Sequence, residues 1–479
     1  MLHLPVLRAG VPYRSLNLNV LKDVRTGEPV AEVSQANRGL ISRDLLGMAA
    51  RRAELREFPV EQLIEMCGKA AKLFYEGDLP IEPGMDAVQS PDDFVTSQSA
   101  TTGMPESMCR ANMEKARFVM AEMRRVLAGL TRGVDLGVLD RGAIEQDGRT
   151  VSYLGEADAL GAVLPSNSPG VHSLWIPSVA LKVPLVLKPG SQEPWTPLRI
   201  ANALLAAGFP PGTLSFYPTD HGGGIEILLR TDRSMLFGDE NTVRAWKRDR
   251  RVQLHGPGWS KVILGADRAG EWERHLDLMA DSVAANGGRS CVNASGVWTT
   301  DHGDALADGL AQRLTQIDAR SLDDPEATLS AFSNPAVAHR ISEFIDRHLN
   351  TPGAEDVTAK YRCGGRIAEK DGCTFLLPTV IRCTDPGHAL ASAELLFPFV
   401  SVVEAPHETL ADAIGPTLVA SLISDDPELR RKMTIARNVD RLNLGELPTM
   451  TVSWDQPHEG NLFEHTYRQR AYQDQAQAS

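Results

Sequence analysis

Short apolar runs alternate with amphipathic stretches through the middle of the chain, and this alternation is typical of a parallel α/β sheet. The apolar runs predict strands and the stretches between them predict helices: strands at 160–164, 185–187, 213–217 and 234–237, helices at 172–181, 198–207 and 222–230. Strands that are apolar throughout are buried on both faces, so we expect a doubly wound sheet with helices on both sides. Ligands of such sheets bind beyond the carboxyl ends of the strands.

The rest of the chain repeats this pattern and adds shorter β segments. A second α/β region begins near residue 255, with strands at 262–264, 296–299, 378–382 and 399–404 and helices at 271–285, 304–316 and 336–349. Ahead of the first region, the pattern predicts two strands with a turn between them, two helical stretches and a β-rich segment: 16–20 and 30–33, 41–78 and 105–131, and 133–154. The chain becomes strand-like again from about 436 and ends in a polar tail.

Length and charge narrow the possible partners. A chain of 479 residues is expected to form two or three domains. Its net charge of −13 repels phosphate backbones, which argues against a nucleic-acid partner. The apolar run 174–187 is interrupted by two prolines and a lysine, and no signal peptide is recognised, so we expect no membrane span and a cytoplasmic location.

The six cysteines form neither a CxxC pair nor a zinc-ligand spacing, so we predict reduced thiols and no metal site. Cys291 differs from the others because it ends the glycine-rich segment Asn286-Gly-Gly-Arg-Ser-Cys291. Glycines allow a close approach of another backbone or of a ligand, and a thiolate there is a strong nucleophile. A small buried cysteine is the alternative interpretation.

Two loops that follow predicted strands carry further candidates. Asn167 follows the strand at 160–164, where its amide would donate to a developing oxyanion, although an Asn-Ser-Pro turn is the favoured interpretation when this segment is taken alone. Lys188 follows the next strand and suits a ribose hydroxyl or a phosphate, with Ser191 as an added hydroxyl. A surface lysine is the alternative for Lys188.

The order of several segments resembles the aldehyde dehydrogenase superfamily from about residue 23 almost to the end. Each segment is similar to one of its motifs: Asp23-Val-Arg-Thr-Gly-Glu28, Leu164-Pro-Ser-Asn-Ser-Pro169, Leu185-Val-Leu-Lys188, Ala207-Gly-Phe-Pro-Pro-Gly-Thr213, Asn286-Gly-Gly-Arg-Ser-Cys291, Phe375-Leu-Leu-Pro-Thr-Val380 and Glu394-Leu-Leu-Phe-Pro-Phe-Val400. The resemblance implies a Rossmann-type cofactor domain, an α/β catalytic domain and a small β oligomerisation arm. The implied boundaries are 1–132 and 154–254 for the cofactor domain, 133–153 for the arm, 255–450 for the catalytic domain and 451–479 for a C-terminal arm.

The resemblance also implies a role for each matching residue. Cys291 would attack an aldehyde and carry a thioester, while Asn167 and the Cys291 backbone N–H would hold the oxyanion. NAD or NADP would be bound at the following residues: Lys188, Ser191, Ser166, Gly238, Glu394 and Phe397. Ser191 stands where NAD-preferring members often have an acid, so NADP is also permitted. A homodimer or homotetramer is implied as well.

Two segments depart from the family pattern. The cofactor turn becomes Phe237-Gly-Asp-Glu240, which puts two acids near a pyrophosphate. The position of the general base holds His255 in place of a glutamate. His255 would itself act as a base near neutral pH, or a thiol such as coenzyme A would accept the acyl group instead of water.

These departures favour an acylating enzyme, which oxidises an aldehyde with coenzyme A or reduces an acyl thioester. Two alternatives stay open: a hydrolytic enzyme with His255 as the base, and a catalytically inactive family member that acts as a binding or structural protein. The polar tail segment 454–464 contains His458 and Glu459, which are candidates for supporting roles at the site.

Overall fold

The computed structural model describes residues 1–82, 88–457 and 459–473. Its first part is a set of short strands and a helical layer, in this order: β1 Leu2–Leu4, β2 Val6–Arg8, β3 Val11–Tyr13, β4 Leu18–Lys22, β5 Pro29–Ser34, α1 Arg38–Leu45, α2 Met48–Arg56, α3 Val60–Glu76, β6 Leu79–Pro80, β7 Val88–Gln89, α4 Pro91–Thr102, α5 Glu106–Ala121, α6 Met123–Leu130, α7 Val138–Arg141, β8 Ala143–Gln146 and β9 Arg149–Gly155.

The next part alternates strands and helices as the hydrophobic pattern predicted. Its elements are β10 Leu160–Val163, α8 His172–Trp175, β11 Leu185–Lys188, α9 Trp195–Ala206, β12 Leu214–Phe216, α10 His221–Arg230, β13 Arg233–Phe237, α11 Glu240–Arg244 and β14 Val252–His255. They form a seven-stranded sheet in the order β14-β13-β10-β11-β12-β2-β3. The pairs among β10 to β14 are parallel, and β2 and β3 extend the sheet in antiparallel fashion.

The last part builds a second seven-stranded sheet. Its elements are β15 Ser260–Leu264, α12 Leu276–Ala284, β16 Ala294–Thr299, α13 Gly303–Leu314, α14 Pro335–Leu349, β17 Ala354–Asp356, β18 Ile367–Lys370, β19 Cys373–Leu376, β20 Thr379–Cys383, β21 Phe399–Glu404, α15 Leu410–Ala413, β22 Thr417–Ile423, α16 Pro427–Thr434, β23 Val439–Leu444, α17 Leu462–Thr466 and β24 Tyr467–Gln469. The strand order is β17-β20-β21-β16-β15-β22-β23, and only the β17–β20 pair is antiparallel.

Both faces of the second sheet are buried, as its apolar strands require. Neighbouring residues of β16 pack into different clusters, Val297 with α12 and α13 on one face and Trp298 with Ala338 and Ile345 of α14 on the other. The expected doubly wound architecture with a second α/β unit is therefore confirmed. In the described ranges no helix combines the length and apolar character that crossing a bilayer needs.

Several elements differ from the expectations in detail. The helix predicted at 172–181 is a series of short turns, because Pro177 removes a backbone donor and ends the α-helical turn at Trp175. The stretch 41–78 contains helices separated at Gly47 and Pro59. The pattern did not predict β1 to β3, α4 or β22. Finally, β24, β9 and β8 form a separate three-stranded sheet that joins the tail to the segment at 143–155.

Candidate active site

The loop that carries Cys291 links α12 to β16 and depends on left-handed backbone. Asn286, Gly287 and Gly288 all have positive φ, from 53° to 66°. A Cβ on Gly288 would lie 2.4 Å from the Pro398 nitrogen, so this glycine is needed for close contact with the segment after Glu394. The glycine-rich sequence thus packs the nucleophile loop directly against the Glu394 segment.

Hydrogen bonds hold this loop in one conformation. Asn293 accepts from the Ser290 backbone N–H at 2.9 Å, and its amide donates to carbonyls at the end of α12, including that of Ala285 at 2.8 Å. The Ser260 hydroxyl donates to the Cys291 carbonyl at 2.8 Å. These bonds fix the backbone on both sides of the thiol, which leaves its position defined.

The Cys291 thiol lies 3.8 Å from both carboxylate oxygens of Glu459. Burial raises the pKa of the thiol well above its ordinary value, and the charges of Glu459 and Glu394 raise it further. The hydrogen bond from the Cys291 backbone N–H lowers the pKa of the thiol. The thiol is therefore protonated at neutral pH, and the Glu459 carboxylate is the adjacent group that can accept its proton.

Glu459 belongs to the C-terminal tail, and hydrogen bonds between this tail and the rest of the protein hold it next to Cys291. Its backbone has a φ of 54°, and its carbonyl accepts from the Gln253 amide of β14 at 2.7 Å. Asn461 follows, and its amide donates to the Leu130 carbonyl at the end of α6 at 2.9 Å. The tail is thus tied to the first sheet and to the helical layer on either side of Glu459. His458 lies outside the described residues.

His255 ends β14 and shares the Glu459 carboxylate. Its Nδ1 is 3.6 Å from Glu459 Oε2, and its ring stacks on Phe237 with 4.3 Å between centroids. Its Nε2 is buried and makes no hydrogen bond within the described residues. Cys291, Glu459 and His255 therefore form a contiguous set in which one carboxylate faces both a thiol and an imidazole.

Glu394 is the second carboxylate of the site. Its Oε2 accepts from the Trp259 backbone N–H at 2.5 Å. Burial raises the pKa of this carboxyl to about 7, although the N–H groups of Trp259 and Gly258 and the charge of Lys261 stabilise the ionised form. Trp259 itself has a φ of 45°, a strained value for a bulky residue, and the Lys261 ammonium donates to its carbonyl at 2.6 Å.

Asn167 lies in the loop after β10, close to the nucleophile loop. One amide N–H donates to the Arg289 carbonyl at 2.8 Å, two residues before Cys291. The neighbouring Ser168 hydroxyl is 3.1 Å from that of Ser290. The loop after β10 and the nucleophile loop are therefore joined by hydrogen bonds, which brings Asn167, the predicted oxyanion donor, close to Cys291, the predicted nucleophile.

A cavity of about 310 Å³ joins these groups. Its lining includes five of the residues predicted from sequence and the acid from the tail: Asn167, Gly238, His255, Cys291, Glu394 and Glu459. The opposite wall is formed by α5, by the turns at 168–174 and by the segment at 450–454. The cavity thus opens between the carboxyl ends of the first sheet and the amino ends of strands in the second.

Three other predicted cofactor residues, Lys188, Ser166 and Ser191, lie at or just after strand ends of the first sheet and are not among the residues that line this cavity. The register pairs Val163 with Lys188 and Phe237 with His255, so these strand ends are level. Desolvation lowers the pKa of Lys188, and the charge of Asp220 partly offsets this. Ser166 accepts from the Gln192 backbone N–H, and Ser191 is exposed.

Side chains at this edge of the first sheet fit the two nucleosides of a nicotinamide dinucleotide. A partly desolvated lysine at one strand end and a buried carboxylate across the cavity suit ribose hydroxyls, so the donor set fits the two nucleosides. The turn after β13 contributes less, because Asp239 caps α11 and accepts from the Thr242 backbone N–H at 2.8 Å. The residues fit the cofactor through side chains at the sheet edge and not through this helix terminus.

Two further expectations concern Phe397 as a cofactor contact and the chemistry of the cysteines, histidines and acids as metal ligands. Phe397 is buried in the second core, with its ring 6.0 Å from that of Phe399, while its neighbour Leu396 lines the cavity. In the described part of the chain, no group of three or more histidine, cysteine or acidic side chains could hold a metal ion. All six cysteines are free thiols there.

Comparison with known proteins identifies the family. The model of the aldehyde dehydrogenase family matches residues 89–429, and the chain belongs to this family. Among curated relatives, human mitochondrial aldehyde dehydrogenase is 25% identical over 266 residues, covering 53% of this chain and 50% of that protein. The α-ketoglutarate semialdehyde dehydrogenase of Haloferax volcanii is 27% identical over 314 residues, covering 62% and 63%. The chain thus spans about half the length of the first of these relatives.

The fold extends further than the detectable sequence similarity. The structure of indole-3-acetaldehyde dehydrogenase in complex with NAD⁺ superposes with a TM-score of 0.80, covering 98% of this chain and 96% of that one at 16% identity. The predicted aldehyde dehydrogenase fold is therefore confirmed across the whole molecule.

Proposed function

We propose that this protein oxidises an aldehyde with NAD or NADP through a thioester on Cys291, and that water releases the product as a carboxylic acid. The observation that carries the proposal is the carboxylate of Glu459, which lies 3.8 Å from the Cys291 sulfur and 3.6 Å from His255 Nδ1. It supplies an acceptor for the thiol proton and, with His255, a base beside the acyl carbon.

The first step uses groups that already touch. Glu459 accepts the Cys291 proton, and the sulfur then forms a bond to the aldehyde carbon while the carbonyl oxygen takes up negative charge. The Cys291 backbone N–H and the second N–H of Asn167 are the donors for that oxygen. Removing one such donor typically slows an acyl-transfer reaction by roughly a hundredfold or more.

Lys188, Glu394 and the floor formed by Phe237 and Gly238 would hold the nicotinamide dinucleotide. When bound, this cofactor supplies the two-electron oxidant for the Cys291 adduct. An NAD⁺ complex is known for a protein of the same fold, which supports the class of cofactor. Ser191 brings no negative charge to the region of the ribose 2′ position, so both NAD and NADP remain substrates to be compared.

Release of the acid needs a base, and position 255 does not carry the expected glutamate. The structure supplies a carboxylate from another part of the chain, because Glu459 reaches the thiol from the tail while His255 packs behind it. Glu459 first passes the proton that it took from Cys291 to solvent, and the pair then takes a proton from water as the water oxygen attacks the thioester carbon and the carbon–sulfur bond breaks. Cys291 leaves as the thiolate and takes this second proton from the pair, so one proton is released per turnover.

A second candidate is release by a thiol such as coenzyme A, with the acyl thioester as product or, in reverse, as substrate. The observation in its favour is the histidine at position 255, where hydrolytic members have a glutamate. A protein that binds without catalysis is the candidate from another class. Calorimetry that detects no binding of either dinucleotide at millimolar concentration would support that interpretation.

The first experiment tests the nucleophile. Reduction of NAD and of NADP is followed at 340 nm with a panel of aldehydes, with and without coenzyme A. Cys291→Ala is expected to abolish the signal, while Cys363→Ala, which removes an exposed thiol elsewhere, retains it. Full activity of the Cys291 variant contradicts the proposal. If the dinucleotide is reduced only in the presence of coenzyme A, the acyl group is released by a thiol, as in the second candidate, and not by water.

The second experiment separates attack from release. In Glu459→Gln, mixing enzyme, cofactor and aldehyde is expected to give one equivalent of reduced cofactor more slowly than in the wild type, because the acceptor of the thiol proton is lost, followed by steady turnover slower by roughly a hundredfold, the size typical of losing a general base. Alkylation of Cys291 by iodoacetamide should reach its pH midpoint at lower pH in this variant, because the charge that raises the thiol pKa is removed. Glu464→Gln, an exposed acid of the same tail, is the matched control. Unchanged turnover in Glu459→Gln would exclude the carboxylate as the base.

A further inference from the structure

Lys115 is a charged side chain in the wall of the active-site cavity. It lies on α5, and its Cδ is 3.9 Å from the position that a Cβ on Gly170 would occupy. Its ammonium makes one long hydrogen bond, 3.5 Å to Asn112 Oδ1, and across the described ranges no carboxylate lies within 4.0 Å of it. Burial lowers its pKa, since no neighbouring negative charge offsets the desolvation.

A chain of polar side chains connects Lys115 with the nucleophile loop. Asn112 donates to the Asn286 side chain at 2.8 Å, and Asn286 donates to the Ser290 hydroxyl at 2.9 Å. Asn112 is itself buried and donates to the Met108 carbonyl at 3.0 Å. Asn112 and Asn286 thus connect α5 with the nucleophile loop, and the Lys115 ammonium lies at one end of this connection, 3.5 Å from Asn112 Oδ1.

The cavity that contains Lys115 also has apolar residues in its lining. Leu174, Met450, Val452 and Trp454 are among them, and together they suit a hydrocarbon chain. An ammonium in such surroundings is costly unless a negative charge compensates it. Among the cavity-lining residues the acids belong to the other groups described above, at Asp239, Glu394 and Glu459.

Other buried cations near the site, including Arg289 and Arg441, do not line the cavity. The Arg289 guanidinium donates to the Thr102 carbonyl at 3.3 Å, and burial lowers its pKa to about 10. Arg441 donates to the Thr449 carbonyl at 2.9 Å and is close enough for its charge to interact with that of Glu459. Among the described residues that line the cavity, Lys115 is the one lysine or arginine.

We propose that the aldehyde substrate carries a second, anionic group at a distance from its carbonyl, and that the Lys115 ammonium binds this group. The substrate class is an aldehyde whose hydrocarbon chain ends in a carboxylate or a phosphate. This inference rests on the proposed aldehyde oxidation, because it assigns the substrate of the same cavity. Lys115 determines specificity and takes no part in the covalent steps.

The kinetic test compares aldehydes that differ in terminal charge. Hexanal and adipic semialdehyde have the same chain length, and glyceraldehyde 3-phosphate adds a phosphate. Lys115→Met should lower kcat/KM for the preferred anionic aldehyde by at least roughly tenfold, the effect of losing a charge-assisted contact, and change that for hexanal by less than about twofold. Lys115→Arg should retain much of the activity, and Lys72→Met, an exposed lysine of α3, is the control.

The comparison of probes also identifies the anion. A selective loss with adipic semialdehyde assigns a carboxylate, and a selective loss with glyceraldehyde 3-phosphate assigns a phosphate. Preference of the wild-type enzyme for hexanal over both, or an equal loss for charged and neutral aldehydes in Lys115→Met, overturns the inference.

A binding experiment keeps this inference separate from the proposed reaction. Adipate and inorganic phosphate are titrated calorimetrically into Cys291→Ala and into the double variant with Lys115→Met. Weaker binding of either anion in the double variant supports the anion site, even if the wild-type protein oxidises no aldehyde. Turnover of anionic aldehydes together with anion binding that is indifferent to Lys115 overturns this inference and leaves the proposed reaction intact.

Discussion

The carboxyl group of Glu394 is buried in the candidate active site, and its ionisation changes near neutral pH. Burial raises its pKa to about 7, so the group is ionised above neutral pH and protonated below it. A carboxylate accepts hydrogen bonds from ribose hydroxyls better than a carboxylic acid does. If Glu394 holds the cofactor, affinity for the dinucleotide is therefore present above pH 7 and is lost as the pH falls through that value.

The prediction is a pH-dependent dissociation constant for NAD or NADP. Between pH 7.5 and pH 6 the Kd measured by protein fluorescence should rise by roughly fivefold to tenfold, following the fraction of ionised Glu394. This interval lies below the pKa of Lys261, which burial lowers to about 8. In Glu394→Gln the profile should be flat, and in Glu408→Gln, which replaces an exposed acid, it should match the wild type. A flat wild-type profile contradicts the assignment.

At the scale of the element, the short helix α11 departs from the usual arrangement of a dinucleotide site. Helix termini that bind pyrophosphate present free N–H groups and a small residue. Here the Asp239 carboxylate occupies the terminus by accepting from the backbone N–H and the hydroxyl of Thr242, at 2.8 and 2.7 Å. Asp239 lines the cavity at the same time, so its charge faces the region where phosphates would lie.

Asp239→Asn tests the cost of that charge. Asparagine caps helices about as well as aspartate, so the helix should persist and thermal stability should change by less than about 0.5 kcal/mol. Removing a partly screened negative charge should tighten dinucleotide binding by roughly threefold to tenfold. Calorimetry at low and at high salt measures the effect, which should shrink as the salt concentration rises. Weaker binding in this variant would show that Asp239 assists the cofactor.

The elements that could be predicted from sequence are those whose hydrophobic pattern lies within one continuous segment of the chain. Strands such as β11 and β21 are mostly apolar and bounded by turn residues, and both were expected where they occur. The strands β1 and β2 are short and pair with the distant strands β5 and β12, while β3 has three residues and pairs with β2, so no extended local pattern marks them. The turns at 169–178 failed as a helix because proline overrides an apolar period.

The same reasoning applies to the site. Cys291 and Asn167 each follow a glycine or proline in the sequence and Glu394 precedes Pro398, and the structure brings the three residues into one cavity. The contact between Cys291 and Glu459 joins residues 168 positions apart, and a polar tail does not reveal which of its acids turns inward. Lys115 interrupts an apolar helix whose pattern indicates only core packing, so its position in the cavity required the structure.

At the scale of the whole molecule, the three-stranded sheet of β8, β9 and β24 remains to be explained. It joins the segment predicted as an oligomerisation arm to the end of the chain, and its outer strands have no further partner within the described residues. Leu154 of β9 is 37% exposed there, although leucine favours burial. A small sheet that has unpaired outer strands and an exposed apolar residue on its central strand is a surface on which a second copy can pack.

We therefore predict a homodimer, or a tetramer built from it, in which this sheet contacts the partner. Light scattering after size exclusion should give a mass of at least about twice 52.1 kDa for the wild type. Leu154→Arg should raise the dimer dissociation constant by at least roughly tenfold, because an unpaired charge is placed in an apolar contact. Leu444→Arg is the matched control, since Leu444 is also 37% exposed but lies on β23 of the second sheet. A monomeric wild type, or equal dissociation in the two variants, would remove the sheet as the dimer contact and leave the arm without an assembly role.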